Sequence, residues 1–166
     1  YTIISSLNSN LITIINFGSS LNNNPNSSDA FDIGENSGLD GASRISCLQI
    51  NNKWYGLICS RYGDEIFKLE LGTDIIDDNY DLSPIASVTF PEGISLVQEG
   101  LNFYGYAVGK NSGLTKIDYG KDIDKTPKTT NLGLLGIPDE LRSWCLIKSG
   151  AQWFGFTSSR NNGIIS

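Results

Sequence analysis

The feature that most constrains the fold of this sequence is an internal repeat with a period of about fifty residues. Each copy opens with an aromatic strand that carries Trp-Tyr-Gly at 54–56, Phe-Tyr-Gly at 103–105 and Trp-Phe-Gly at 153–155. The second copy begins 49 residues after the first, and the third begins 50 residues after the second. A weaker copy without the glycine opens the chain at Tyr1. Self-similarity at a fixed period indicates an array of one repeated structural unit.

Short β-strands account for most of each repeat. A turn and a second strand follow the aromatic strand, and the second strand ends in glycine, at Gly18, Gly72 and Gly120. Two of these second strands alternate apolar and polar residues, which is the periodicity of a β-strand. A polar segment, a short third strand and a fourth strand that leads back to the aromatic complete the unit. The sequence therefore predicts about four strands per repeat and an all-β fold.

Two all-β architectures have repeats of this size. Four strands in about fifty residues match one blade of a β-propeller, in which each blade is a four-stranded antiparallel sheet. A β-trefoil, with three repeats of four strands, is the alternative. When the weaker copy at Tyr1 is counted, the aromatic strand at Trp153 is the fourth copy, and a fourth copy has no place in a three-fold fold. The strands at 54–60 and 103–108 are apolar on successive residues, as strands buried on both faces are. Both observations favour the propeller.

The propeller prediction divides the chain into blade repeats. Residues 1–54 form a repeat that starts in mid-blade and carries a loop insertion at 29–44. Residues 55–103 and 104–153 form two further repeats, and residues 154–166 begin another blade. The two central units are expected to be superposable antiparallel sheets, related mainly by rotation about a common axis.

The composition argues against several classes of function. The net charge is −6 and no basic cluster is present, so nucleic acid and anionic membrane surfaces are poor partners. No apolar run approaches the ~20 residues needed to span a bilayer. The sequence has no histidine, which removes most zinc sites and the Ser-His and Cys-His nucleophile pairs. We therefore expect no catalytic site in these residues, no cofactor and no membrane insertion.

The three cysteines are predicted to be structural. Their number is odd and no Cys-x-x-Cys motif occurs. In the repeat alignment Cys47 and Cys145 share a position with Leu96, and Cys59 shares one with Val108. Positions that accept leucine and valine are core positions, where a free cysteine behaves as a small apolar residue. All three are expected to be buried and unpaired.

The strongest metal candidates are Asp32, Asn36 and Asp40 in the predicted loop insertion. They belong to an alternating pattern, Asp-x-Gly-x-Asn-x-Gly-x-Asp, over residues 32–40. Gly34 stands where a calcium loop would have a ligand, and Ser37 stands where glycine would turn the chain. We therefore predict a solvated loop without a metal. Glycosidase chemistry would need two carboxylates that face each other across a cleft, and the sequence neither shows nor excludes such a pair.

Function in a repeat protein is expected where one copy departs from the others. Trp144 is aligned with Ser46 and Ser95, and Arg142 lies two residues before it. A tryptophan in place of serine suits a stacking platform for a sugar or an anchor at a protein interface. Arg142 and Trp144 are therefore the predicted binding residues. The alternative is that Trp144 fills a gap between unequal blades.

The repeat pattern also resembles a known group of proteins. Aromatic-Tyr/Phe-Gly, Leu-x-x-Ile-x-Tyr/Phe-Gly, a Pro-bearing turn and Asn-Leu-Gly are similar to propeller repeats in large surface and virion (tail) proteins of Bacteroidetes and their phages. The resemblance covers nearly the whole chain. It implies a non-enzymatic structural or adhesion module of a larger assembly, in a virion or at a cell surface, with protein subunits or surface glycans as partners. The alternatives are a carbohydrate-binding cell-surface propeller and part of a polysaccharide hydrolase with catalytic residues elsewhere.

Overall fold

A computed structural model describes residues 1–35, 37–76, 79–136 and 140–160. The described strands form four antiparallel sheets, so the chain is all-β as predicted. A single turn of 3₁₀ helix at Ser27–Asp29 is the one helical element in these residues. The described part of the chain therefore contains no helix that is long and apolar enough to cross a membrane.

Within each sheet the strands are neighbours in the order in which they occur along the chain. The first sheet contains β1 (Thr2–Ser5), β2 (Ile12–Ile15) and β3 (Ala30–Ile33). The second contains β4 (Ala42–Ile50), β5 (Lys53–Ser60), β6 (Glu65–Gly72) and β7 (Asp81–Ser87). The third contains β8 (Pro91–Glu99), β9 (Asn102–Gly109), β10 (Gly113–Gly120) and β11 (Lys128–Gly133). The fourth consists of β12 (Leu141–Ser149) and β13 (Gln152–Ser159), which we call the last hairpin.

Tight turns join the first two strands of the later sheets. Asn51 and Asn52, between β4 and β5, have φ angles of 50° and 66°. Positive φ at both central residues is the requirement of a type I′ hairpin turn, and asparagine tolerates it better than most residues. Gly100 and Gly150 take the first position of the corresponding turns, also at positive φ. The Asn and Gly residues therefore supply the tight turns that join neighbouring antiparallel strands.

The sheets pack face to face, and the aromatic strand of the second sheet lies in the middle of the stack. Tyr55, Leu57 and Cys59 on one face of β5 belong to a core shared with the third sheet. Ile58, on the opposite face, belongs to a core shared with the first sheet. The prediction that this strand is buried on both faces is confirmed. Farther along the chain, β8 contacts β4 on one side and β12 on the other.

The segment predicted as a loop insertion at 29–44 contains more regular structure than expected. Residues 30–33 form β3, in which Ile33 is buried, and β4 begins at Ala42. The irregular part in the described residues lies at 34, 35 and 37–41. The four-stranded sheets run over 42–87 and 91–133, so each begins one strand before the aromatic strand from which the repeats were counted.

The pairing of the strands corrects the sequence alignment by one residue. The residues opposite the repeat glycines are Cys47 for Gly56, Leu96 for Gly105 and Leu146 for Gly155. Trp144 therefore takes the position of Ile45 and Ile94. It does not take the position of Ser46 and Ser95, as the alignment had it, so the tryptophan replaces two apolar residues rather than two serines.

Candidate binding cleft beside the last hairpin

A cavity of about 170 Å³ lies between the third sheet and the last hairpin. We call it the aromatic cleft, because four of its eight lining residues are aromatic. The lining residues are Val97, Glu99, Tyr104, Tyr106, Leu114, Trp144, Leu146 and Trp153. Glu99 is the one carboxylate among the described residues that line it. The cleft therefore combines apolar surface with a single acidic group.

The strand geometry explains why these side chains converge. Successive side chains of a strand point to opposite faces, so Tyr104 and Tyr106 on β9 share one face of the third sheet. Val97 on β8 pairs with Tyr104 and lies on the same face. Trp144 and Leu146 on β12 lie on the face of the last hairpin that is turned toward the third sheet. The cleft is therefore a property of two facing strand pairs and not of a loop.

Polar contacts hold the two sides of the cleft together. The indole N–H of Trp153 donates a hydrogen bond of 2.8 Å to Glu99 Oε1. Within the last hairpin, Lys148 pairs with Trp153, and its Nζ lies 5.3 Å from the centroid of the Trp153 ring, within the range of a cation–π contact. Trp144 packs on the small core of Val108, Leu114 and Leu141, and its indole Nε1 is buried with no hydrogen-bond partner in the part of the chain that the structure describes.

Lys116 on β10 stands beside the cleft. Its ammonium lies 4.5 Å from the centroid of the Tyr104 ring and 2.9 Å from Asp118 Oδ2. The hydrogen bond from Lys116 and a second one from the backbone N–H of Gly120 lower the pKa of the Asp118 carboxyl. The same contact with Asp118 raises the pKa of Lys116. The site therefore keeps a positive charge paired with one carboxylate at neutral pH.

The structure does not bring the two predicted binding residues to one site. Trp144 lines the cleft, whereas Arg142 is engaged with Glu92 on β8. Arg142 Nη1 lies 2.7 Å from Glu92 Oε1, and Arg61 Nε lies 2.9 Å from the same oxygen. Arg142 is thus one member of an ion cluster that links sheets.

The weak metal candidates do not form a site in the described residues. Asp32, on β3, accepts a hydrogen bond from the Thr13 hydroxyl across the first sheet. The backbone of Asp40 exchanges hydrogen bonds with the Ser60 hydroxyl. Asn36 lies outside the described residues. No group of three potential metal-ligating side chains occurs in the described part of the chain.

The cysteines are free thiols, but their burial differs from the prediction. Cys59 is fully buried and Cys47 is half-buried. Burial raises the pKa of the Cys47 thiol to about 12, and it also raises the pKa of Cys59. Cys145 is exposed, which corrects the expectation that all three are buried. It pairs with Phe156 on the side of the last hairpin that faces away from the cleft, where no described residue covers it.

These environments predict a clear order of thiol reactivity in the native protein. We expect Cys145 to react first with a soluble disulfide reagent at pH 8, because exposure allows access to its thiolate. Cys47 should react much more slowly, and Cys59 only after unfolding. Mass spectrometry of peptides after timed labelling measures the order. Protection of Cys145, or labelling of Cys59 at the same rate, would contradict this arrangement.

Sequence reasoning missed most of the cleft. Tyr104 and Trp153 belong to the repeated aromatic motif and were therefore assigned to the scaffold, and Tyr106 was not singled out. The signal that was available is Glu99, which takes the position held by Ile50 in the second sheet. A carboxylate in place of a buried isoleucine marks a contact that differs between two otherwise similar sheets.

Comparison with family models and comparison with curated proteins both give no match. The arrangement of the described side chains therefore carries the functional argument. That arrangement offers an aromatic cleft, a lysine with one carboxylate partner beside it and an apolar outer face on the last hairpin.

Proposed function

We propose that the chain forms consecutive blades of a β-propeller and acts as a non-enzymatic interaction module in a larger assembly. Strand order along the chain and face-to-face stacking of successive sheets support the propeller. A β-trefoil would need its strands in one closed barrel with hairpin caps, whereas the described strands lie in four separate sheets. The division into blade repeats at 1–54, 55–103, 104–153 and 154–166 remains part of this proposal, and the two four-stranded sheets begin one strand before the repeats at 55 and 104.

The observation that carries the interaction role is the outer face of the last hairpin, which we define as Cys145, Ile147, Phe154 and Phe156. Cys145 pairs with Phe156 and Ile147 pairs with Phe154, so the four side chains form one patch. Ile147, Phe154 and Phe156 are 53%, 45% and 41% exposed.

The second sheet shows what covers this kind of face. Tyr55 and Leu57 take the positions of Phe154 and Phe156, and both are buried against the third sheet. A contiguous apolar patch of this kind is typical of a surface that packs on a further sheet or on another protein. We therefore expect the outer face to be covered by protein rather than by water.

Photo-crosslinking from Cys145 in the native assembly tests the proposal. Cys145 lies on the outer face and is the exposed thiol, so a thiol-reactive photo-crosslinker attaches there without a new mutation. We expect crosslinks between Cys145 and residues of the protein surface that covers the outer face, and mass spectrometry identifies those residues. The double variant Phe154→Lys/Phe156→Lys should reduce their yield severalfold, because a buried ammonium would lack a partner.

Leu101→Lys supplies the matched control. Leu101 is 68% exposed in the turn between β8 and β9, away from the outer face, so its replacement should leave the crosslinks unchanged. An unchanged yield in the double variant would overturn the interaction role, as would polysaccharide turnover by catalytic residues of this segment. Recovery of the protein from purified virus particles would support a virion or phage-tail assembly, and recovery only from cell surfaces would oppose it.

One observation favours carbohydrate binding as a second function. Trp153, Tyr104 and Glu99 line the cleft together, and aromatic faces beside a carboxylate suit a sugar ring. Retention of a glycan on an array by the wild-type chain, and its loss in Trp153→Ala, would support this alternative.

A further inference from the structure

An internal precedent indicates what the aromatic cleft accepts. In the second sheet, Lys68 lies 3.7 Å from Glu70 Oε2 and 3.9 Å from Asp124 Oδ1. Its ammonium is 6.0 Å from the centroid of the Tyr55 ring. Asp124 belongs to the turn after β10, so the third sheet supplies the second carboxylate. Burial and the hydrogen bond between Tyr55 and Asp124 raise the pKa of Tyr55.

The same turn also supplies an apolar side chain. Ile123 is 4% exposed and belongs to the core shared by the second and third sheets, together with Tyr55 and Leu57. The turn after β10 therefore packs a buried isoleucine against the preceding sheet and places beside it an aspartate that contacts Lys68 with its side chain 53% exposed. We call this pair the Ile-Asp plug.

The third sheet has residues equivalent to those that contact the Ile-Asp plug in the second sheet. Lys116 pairs with Tyr106 as Lys68 pairs with Leu57. Asp118 pairs with Tyr104 as Glu70 pairs with Tyr55. The tyrosine, the lysine and the carboxylate on the lysine's own strand therefore recur at the same register.

The two copies differ in what lies opposite the lysine. Lys68 has two carboxylates, and its side chain is 11% exposed. Lys116 has one, from Asp118, in the described part of the chain, and its side chain is 31% exposed. An ammonium has three donors, so Lys116 can accommodate another acceptor. The aromatic cleft is the open space on the same side of the third sheet as Tyr104.

We propose that the aromatic cleft and Lys116 bind an Ile-Asp plug from a further β-sheet, meaning an apolar residue followed by a carboxylate in the turn after a strand. The apolar side chain enters between Tyr104 and Trp153, and the carboxylate pairs with Lys116. This rests on the proposed interaction module and names the segment that such a module receives. The carboxylate complements the charge of Lys116, as Asp124 complements Lys68.

A C-terminally amidated peptide with the sequence of residues 113–124 is the probe, because it ends in the plug that this chain already uses and the aspartate side chain is then the one carboxylate on its last residue. Binding of the fluorescein-labelled peptide to the full chain is measured by anisotropy. We expect saturable binding that weakens about fivefold in Lys116→Gln, as for a partly exposed ion pair. Replacing the terminal aspartate of the peptide by asparagine should have the same effect, and the two changes together should weaken binding no further. Replacing the peptide's second isoleucine by serine should weaken binding more than about tenfold.

Lys121→Gln is the matched control. Lys121 is exposed on the turn after β10, so its replacement should leave binding of the peptide unchanged. Circular dichroism is used to check that the Lys116→Gln variant is folded. The changes in the peptide test the same contact without altering the protein. Absence of binding, or additive effects of the two charge changes, would overturn the inference. A glycan that fills the cleft and excludes the peptide would overturn it too. Cys145 lies on the opposite face of the hairpin, so its crosslinks test the interaction module independently.

Discussion

Replacement of Glu92 by glutamine is expected to lower the free energy of unfolding by about 3 kcal/mol. The Glu92 side chain is 6% exposed, and its Oε1 lies between Arg61 Nε at 2.9 Å and Arg142 Nη1 at 2.7 Å. Loss of its charge leaves the Arg61 guanidinium without this counter-charge and leaves Arg142 with Glu140 Oε2 at 3.8 Å. Breaking a buried ion pair from one side costs about 3–5 kcal/mol. The arginines keep some exposure to water, so the lower end applies. Urea unfolding followed by circular dichroism measures the change.

Two comparisons separate the ion cluster from a general effect of charge. Asp122→Asn removes an exposed carboxylate that lies 3.5 Å from Lys125, and it should cost less than about 1 kcal/mol. The triple variant Arg61→Met/Glu92→Leu/Arg142→Met should be more stable than Glu92→Leu alone, because it leaves no unpaired charge. Equal losses in Glu92→Gln and Asp122→Asn would show that the cluster does not join the sheets.

The strand content of the chain could be predicted because it depends on local patterns. A period of about fifty residues, alternation of apolar residues and Asn- or Gly-bearing turns identify strands and hairpins without tertiary information. The register could not be fixed in the same way. A shift of one residue places a side chain on the other face of a sheet. This is why Trp144 was aligned with serines although it packs in the position of Ile45 and Ile94.

The site depends on contacts between sheets, which local patterns do not encode. Cys145 was predicted to be buried because it was aligned with Cys47 and Leu96, but the strand pairing places it at the position of Ser46 and Ser95. A neighbouring sheet covers that position in the earlier sheets, and no described residue covers the outer face of the last hairpin. The ion cluster of Arg61, Glu92 and Arg142 joins residues 31 and 50 positions apart in the sequence. Repeat patterns therefore predict the strands and turns of a sheet, but neither its register nor its contacts with neighbouring sheets.

Replacement of Gly93 by alanine is expected to separate the last hairpin from the third sheet, at a cost of about 2–3 kcal/mol. A Cβ on Gly93 would lie 2.6 Å from Trp144 N, 2.7 Å from Trp144 Cβ and 2.9 Å from the carbonyl carbon of Ser143. Two of these atoms are backbone, so a change of rotamer cannot relieve the contact and β12 must move. Overpacking of this kind typically costs 1–3 kcal/mol. Trp144 and Trp153 lie in the hairpin and report its movement by fluorescence during urea unfolding.

Gly56→Ala is the matched control, because Gly56 is also a strand glycine and a Cβ there would meet Cys47 Sγ at 3.3 Å and Leu69 Cβ at 3.5 Å. Small shifts of those side chains relieve such contacts, so the change should cost less than about 1 kcal/mol. Neither glycine has a positive φ, so backbone strain does not distinguish the two variants. A tryptophan emission shift in Gly93→Ala that precedes the loss of β circular dichroism would mean that the hairpin undocks while the four-stranded sheets remain folded. Equal stability of the two variants would show instead that β8 and β12 do not approach closely in solution, and the aromatic cleft between them would then lack its second wall.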